Sequence, residues 1–276
     1  MSKIILLTTP IGNIGDLSTR GKNLLVDKAF FAVEDTRSFK DLCRKLGLSL
    51  EGKRITSFHD HTDESKLEVL IEQVIAGSEL VVASEAGSPA ISDPAYPLIK
   101  LALEKGVEIT SAPGASSVIT ALELSGLPAI PFHFHGFLSR DAGKRESIFE
   151  QHAQIYGTHI YFEGVSRALN TIDQLASMFP EFDIVIAREL TKEFESIYRF
   201  KGKEWKGLKS EIMLKGEFVL LWHNPNQTSS VGGKVVDMAQ ELLENGPHPK
   251  KLSKLLSALT GIAPKECYEQ LQKTKK

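Results

Sequence analysis

Two acids and an arginine stand together in the stretch "VEDTR", where Glu34, Asp35 and Arg37 follow the apolar run Phe30–Val33. Carboxylates beside a guanidinium at a strand end can orient a hydroxyl nucleophile or grip phosphates. The plainer alternative has Asp35 or Thr36 capping the next helix while Arg37 balances the charge. "ARELTKEFE" sets Arg188, Glu189, Lys192 and Glu195 after another apolar strand, and "YFEGVSRALNTI" repeats the arrangement with Glu163 and Arg167. Charges in such number commonly form a solvated face, but their position at a strand end points to a functional rim. "SFHDH" offers His59 and His61, which on a strand would face one side together. Without further ligands at metal spacing they point to polar substrate contact or to the surface, and no metal is expected. The chain contains no Walker loop, no zinc-type cysteine set and no G-x-S-x-G elbow.

Three loops of small residues frame these charges. "TPIGNIGD" follows the apolar run Ile4–Leu7, "SEAGSPAISDP" follows "LVVA", and "APGASS" precedes a helix for which Ser116 is a plausible N-cap. Ligands bind at the carboxyl ends of strands in open α/β sheets, so three such loops on one edge predict a pocket. The first loop carries G-x-x-G and not the G-x-G-x-x-G that cradles a dinucleotide pyrophosphate, which disfavours a dehydrogenase.

The elements that must position these loops alternate from the start. Strands are predicted at 4–9, 30–34, 54–58, 80–85 and 107–111, with helices at 17–28, 37–46, 64–76, 96–105 and 116–125. Leu67, Leu70, Ile71 and Val74, for instance, keep the spacing of one buried helix face. Continuous apolar strands alternating with helices imply an α/β fold with a parallel or mixed sheet. Around "SGLPAIPFHFHGF" the texture changes. Beyond it, strands at 159–163, 183–190, 197–201 and 217–222 with fewer helices suggest a more antiparallel sheet. This divides the chain into 1–130, 131–224 and an appendage of 225–276. The linker "HNPNQTSSVGG" (223–233) crosses the last boundary, and helical patterns follow near 234–245, 250–259 and 265–273. Residues 233–276 hold eight lysines against five acids, a solvated surface or a nucleic-acid contact.

The bulk numbers fit this picture. A chain of 276 residues, 42% hydrophobic and 25% charged, is an ordinary globular protein with room for two domains. A net charge of −2 argues against a wholly basic nucleic-acid binder but permits a local basic patch. Two distant cysteines, Cys43 and Cys267, suit a reducing compartment. The apolar start is too short, and too soon broken by Pro10 and Gly12, for a signal peptide or membrane span, so a cytoplasmic protein is expected.

Taken in order, "TPIGNIGD", "EDTR", "SFHDH", "EAGSPAISDP", "PGASS", "SGLP", "GFLSR", "YFEGVSR", "RELTKEFE" and "GEFVLLW" resemble the tetrapyrrole methylase superfamily over nearly the whole chain. Within it they resemble the bacterial branch that acts on small-subunit ribosomal RNA. The resemblance implies two α/β domains with S-adenosylmethionine in the cleft between them. It implies transfer to the ribose 2′-hydroxyl of a cytidine, a ribosomal RNA partner and a homodimer. Pro10, Ile11 and Gly12 would face the cleft. Glu85, Ala86, Gly87, Ser88 and Pro89 would hold the cofactor's methionine and ribose parts together with Ser116 and Ser117. Phe162, Glu163, Ala187 and Arg188 would close over its adenine. Asn13, Arg37, His59, His61 and Arg140 would meet the substrate. Asp35 or Glu34 would accept the hydroxyl proton, with Lys192 beside them and, like Arg37, on phosphate. The chain departs from the family's usual D-A-G-T-P at Glu85 and Ser88, and from P-G-P-S-A at Ala115 and Ser117. Glu keeps the charge and Ser the hydroxyl, so the cofactor pocket is expected to survive. Two rivals share the fold: a methyltransferase for a tetrapyrrole ring carbon, which has no need of basic C-terminal helices, and an RNA-binding protein without turnover.

Overall fold

The structure, a computed structural model, describes residues 2–59, 62–213, 215–225, 242, 248–260 and 262–273. His61, most of the linker and nearly all of the helix predicted near 234–245 lie outside the described residues.

Five short strands build the first sheet: β1 (Lys3–Leu7), β2 (Phe30–Val33), β3 (Arg54–Ser57), β4 (Glu79–Ala83) and β5 (Glu108–Ala112). They pair in parallel in the order β3-β2-β4-β1-β5. Their apolar runs lack alternation because both faces are covered. On one face Ile4, Leu80 and Val82 pack with Leu70 and Ile71 of α3 (Glu64–Ile75) and Leu98 of α4 (Ala95–Glu104). On the other, Ile5, Phe31 and Val81 pack with Leu25 of α1 (Thr19–Asp27) and Phe39 and Cys43 of α2 (Thr36–Lys45). Neighbours such as Ile4 and Ile5 thus feed opposite cores, as the pleat requires.

The strand order decides where a ligand can sit. β4, β1 and β5 are adjacent and parallel, so their carboxyl ends lie side by side. The three small-residue loops follow those strands and are brought to one edge, although they are far apart in sequence. The connections after the neighbouring strands β1 and β4 leave to opposite faces, α1 on one and α4 on the other, which opens a crevice at this edge.

The second sheet comprises β6 (Phe132–Phe137), β7 (Gly157–Glu163), β8 (Asp183–Arg188), β9 (Ser196–Lys201) and β10 (Phe218–Asn224), in the order β6-β7-β10-β8-β9. Only β6 and β7 are parallel; the other pairs run antiparallel. α5 (Ser117–Ser125) follows the first sheet in sequence but packs on the second, where Val118, Ala121 and Leu122 meet Ile160, Val185 and Leu221. Ile11 of the first loop joins that core. α6 (Ala142–His152), α7 (Val165–Met178) and the short α8 (Trp205–Leu208) complete this half.

Two features have no counterpart in the sequence reading. β6 mixes histidines, phenylalanines and Gly136 just after Pro128 and Pro131, and its residues are at most partly buried, so it carries no continuous apolar run. α6 buries only Arg145 and Phe149, too few apolar positions to show a helical period.

Contacts divide the chain into a first compact unit, residues 1–149 with 157–224, that holds both sheets, and a second of residues 150–156 with 225–276. In the second unit α9 (Pro249–Thr260) and α10 (Pro264–Lys273) pack on each other. Cys43 and Cys267 are buried free thiols. No helix among the described residues is long and apolar enough to cross a membrane.

Candidate active site

The first loop is fixed by its neighbours. The Thr9 amide donates to Gly87 O at 3.0 Å and the Gly87 amide returns a bond to Thr9 O at 3.2 Å. The Thr8 amide donates to Ala112 O at 3.1 Å. Gly87 sits at φ +79, a left-handed conformation that a side chain would strain. The loops after β1, β4 and β5 are therefore one hydrogen-bonded assembly.

Gly12 is where this assembly meets the second half. A Cβ there would stand 2.5 Å from Lys192 Cγ, 2.6 Å from Thr191 Oγ1 and 2.9 Å from Leu190 O. The Asn13 amide donates to Thr191 Oγ1 at 3.0 Å. The 189–192 turn is itself strained, with Glu189 at φ +50 and Thr191 at φ +64. Glu189 holds it by accepting from the Glu217 amide at 2.9 Å and from Lys192 Nζ at 3.0 Å. Lys192 also pairs with Glu217 Oε2 at 3.0 Å. Burial works against the lysine's charge, but Glu189 and Glu217 outweigh it and raise its pKa above the ordinary value.

Between these parts lies a cleft of about 770 Å³, within the size range of small-molecule sites. Its first wall holds Pro10, Ile11 and Gly12, then Glu85, Ala86, Gly87 and Ser88, then Ser116 and Ser117. Its second wall holds Phe162, Glu163 and Lys192. The predicted residues thus converge from both halves of the unit. Phe162 is braced by Phe134 and Phe137, with ring centroids 4.9 and 5.3 Å away. Glu163 is buried and immobilised: it pairs with Arg167 at 2.7 Å and accepts from Thr171 Oγ1 at 2.7 Å and from the Gly164 amide at 2.8 Å.

The two candidate acids after β2 part company. Glu34 lines the cleft and accepts from the Glu85 amide at 3.0 Å, while Ser38 Oγ donates to Glu85 Oε1 at 2.8 Å. Asp35 does not line it. It caps α2, accepting from the Arg37 and Ser38 amides at 2.6 and 3.3 Å, and pairs with the Arg37 side chain at 2.9 Å. Those bonds from Arg37 hold its carboxyl at about pH 2, well below the ordinary 3.8. The capping alternative in "VEDTR" is the one the geometry realises.

Other candidates stand outside the cleft. Asn13 caps a single 3-10 turn, its Oδ1 accepting from the Gly15 amide at 2.9 Å. Pro89 O accepts from the Ala95 amide at 3.0 Å. Ala187 belongs to the core. Arg188 is buried and spans two loops, donating to Lys215 O at 2.6 Å and Phe194 O at 3.0 Å. Arg140 is exposed before α6, where its carbonyl accepts from Arg145 Nη1 at 3.0 Å. His59 is not on a strand: β3 ends at Ser57, and the Thr62 amide donates to His59 O at 2.8 Å, while His61 lies outside the described residues.

The cleft also contains residues that sequence reasoning passed over. Asp41, Leu42 and Lys45 come from α2, and Ser92 and Asp93 from the loop after β4. On sequence the α2 residues read as an ordinary solvent face. Glu217 precedes β10, and Phe218 and Val219 open it, a strand whose apolar run reads as buried throughout; Phe218 is opposite Glu163 on one side and Arg188 on the other, which draws the strand's start to the cleft.

The chain is similar to known proteins over most of its length. A protein of Streptococcus pyogenes serotype M18 called ribosomal RNA small subunit methyltransferase I is 33% identical over 271 residues, 97% of this chain and 93% of its own. A solved diphthine synthase superposes with a TM-score of 0.60 at 16% identity, covering 80% of this chain and 89% of its own. A uroporphyrin-III C-methyl transferase from Thermus thermophilus, solved with S-adenyl homocysteine, gives a TM-score of 0.52 at 14% identity, covering 81% and 98%. These last two are likenesses of fold. The model of the family Tetrapyrrole (Corrin/Porphyrin) Methylases matches residues 3–205, and the chain belongs to that family.

Proposed function

We propose that this protein is an S-adenosylmethionine-dependent methyltransferase that modifies the ribose 2′-hydroxyl of a cytidine in small-subunit ribosomal RNA. The observation that carries the RNA reading is the near-full-length similarity to a protein called ribosomal RNA small subunit methyltransferase I; the ribose 2′-hydroxyl of a cytidine is what the sequence resemblance implies. Fold alone would leave the substrate open, since relatives by fold act on quite different molecules.

The residues fit the cofactor. Backbone groups of Ala86, Gly87 and Ser88 and the Ser116–Ser117 turn offer close polar contact along one wall, and Phe162 and Val219 offer apolar cover along the other. When bound, S-adenosylmethionine supplies an electrophilic methyl on a positively charged sulfur. The chain's contribution is chiefly alignment, worth at best about 7–11 kcal/mol. A ribose hydroxyl is a poor nucleophile and needs an acceptor for its proton. Glu34 serves as that acceptor, because Asp35 is committed to the α2 cap and to Arg37. Lys192 and Arg37 meet substrate phosphates. In the same reading residues 1–130 and 131–224 act as the two jaws of the cleft, and the protein works in the cytoplasm as a homodimer.

The test is methyl transfer from labelled S-adenosylmethionine to small ribosomal subunits from a strain lacking the gene. Label on an rRNA ribose is expected. Label appearing on a corrin or porphyrin instead, or cofactor binding with no transfer to the subunits, would overturn the reading.

A further inference from the structure

The polar face of α2 lies beside the cleft and is lined with cations. Arg37, Lys40 and Arg44 border a shallow depression of about 660 Å³, whose wall includes Ser38 and Asp41. Those same two residues line the cleft, so depression and cleft adjoin there. We propose that this depression is the track that guides the RNA backbone to the active site, with successive phosphates held by Arg37, Lys40 and Arg44. The proposal rests on the RNA reading above and extends it from Arg37 and Lys192 to a surface.

Three features suit the face to that task. It is rigidly aimed, because the opposite side of α2 buries Phe39 and Cys43 in the first core and Asp35 fixes the helix start. Its cations are available. Arg37 and Arg44 side chains are 90% and 81% exposed, and their partners are carboxylates on the same short segment: Asp35 for Arg37, and Asp41 shared by Arg44 and Lys45. Exposed pairs of this kind contribute little, so a phosphate displaces the carboxylate at small cost. The spacing also fits. Residues 37, 40 and 44 share one helix face and span about 10 Å of its axis, enough to meet consecutive phosphates of an extended strand. A local excess of positive charge in a chain whose net charge is −2 steers a polyanion to this edge.

The experiment measures binding of small-subunit rRNA, prepared from a strain lacking the gene, as a function of salt. Each phosphate neutralised on a single strand contributes roughly 0.7 to the slope of log K against log salt. The double variant Lys40→Ala/Arg44→Ala is expected to lower that slope by about 1.4 and to weaken binding about tenfold, with S-adenosylhomocysteine affinity unchanged. A control variant of equal charge loss, Lys100→Ala/Lys105→Ala, removes exposed lysines that line neither depression nor cleft and is expected to retain the wild-type slope. A test variant with the wild-type slope, or a control variant that lowers it as much, overturns the track while RNA labelling by the wild type stands. Wild-type protein that neither binds nor labels the RNA overturns the RNA reading and this inference together.

Discussion

The two walls of the cleft are built by different means. The wall from the parallel sheet is made largely of backbone: Gly87, Ala86, Ser88 and Gly12 present short side chains or none, and the loops are locked by the paired bonds between Thr9 and Gly87. The wall from the mixed sheet is made of side chains held by other side chains: Glu163 by Arg167 and Thr171, Phe162 by Phe134 and Phe137, Lys192 by Glu189 and Glu217. A parallel sheet offers adjacent loops at one edge and so can form a site from main chain. A sheet with antiparallel pairs sends its connections to both edges, and must reach the ligand with long groups that need bracing. The first wall should therefore tolerate no added atoms, and the second should tolerate no lost partners.

The largest expected effect departs from this rule, because Glu34 is a side chain on the backbone wall. Glu34→Gln is expected to lower the rate of methyl transfer by about 100-fold or more while leaving S-adenosylhomocysteine binding intact. Activity within threefold of wild type would remove Glu34 as proton acceptor. On the side-chain wall, Glu163→Gln breaks an ion pair whose acid is buried and whose arginine is 26% exposed. A loss of about 1–3 kcal/mol in urea unfolding is expected, and an unchanged midpoint would show that the second wall does not depend on its bracing. For the backbone wall, Gly12→Ala meets Lys192, Thr191 and a carbonyl that cannot move freely. Calorimetry is expected to find about tenfold weaker S-adenosylhomocysteine binding from this one methyl; equal binding would mean that the 189–192 turn yields.

The smallest effect concerns pH. Asp35 has a folded pKa of about 2, below its ordinary 3.8, so its capping contribution is present above about pH 4 and is lost as pH falls through 2. Asp35→Asn should flatten stability against pH in that acid window alone. The stability difference between wild type and Asp35→Asn is then present at neutral pH and closes in acid; a variant that loses stability between pH 4 and 2 as steeply as wild type would contradict the capping role.

Legibility in the sequence follows the same division. The first sheet could be read because "IILL", "FFAV" and "LVVA" are apolar on both faces, and its loops because glycines and prolines at strand ends leave a compositional mark. The capping role of Asp35 was visible as one of two alternatives. Choosing between them required seeing that Glu34, not Asp35, turns into the cleft. β6 escaped because "FHFHGF" is half polar and half aromatic, and α6 because it covers little apolar surface. The contributions of Asp41 and Lys45 escaped for a different reason. Sequence tells which face of α2 is polar, but not that this face borders a cavity, which depends on how the loops after β1 and β4 are stacked beside it.

The bond from the Asn13 amide to Thr191 joins residues 178 positions apart. During synthesis the chain emerges from its amino end, and early segments fold before later ones exist. The three loops of the first sheet can close on one another once residue 117 is free, yet Gly12 has nothing to seat against until the turn at 189–192 has been made. Beyond that, Glu189 and Lys192 wait for Glu217 to fix their positions. A chain that ends before residue 189 would therefore contain the loops of the first wall but nothing for Gly12 to seat against. The seat for a ligand is thus completed by residues up to Val219, long after the loops of the first wall have been made.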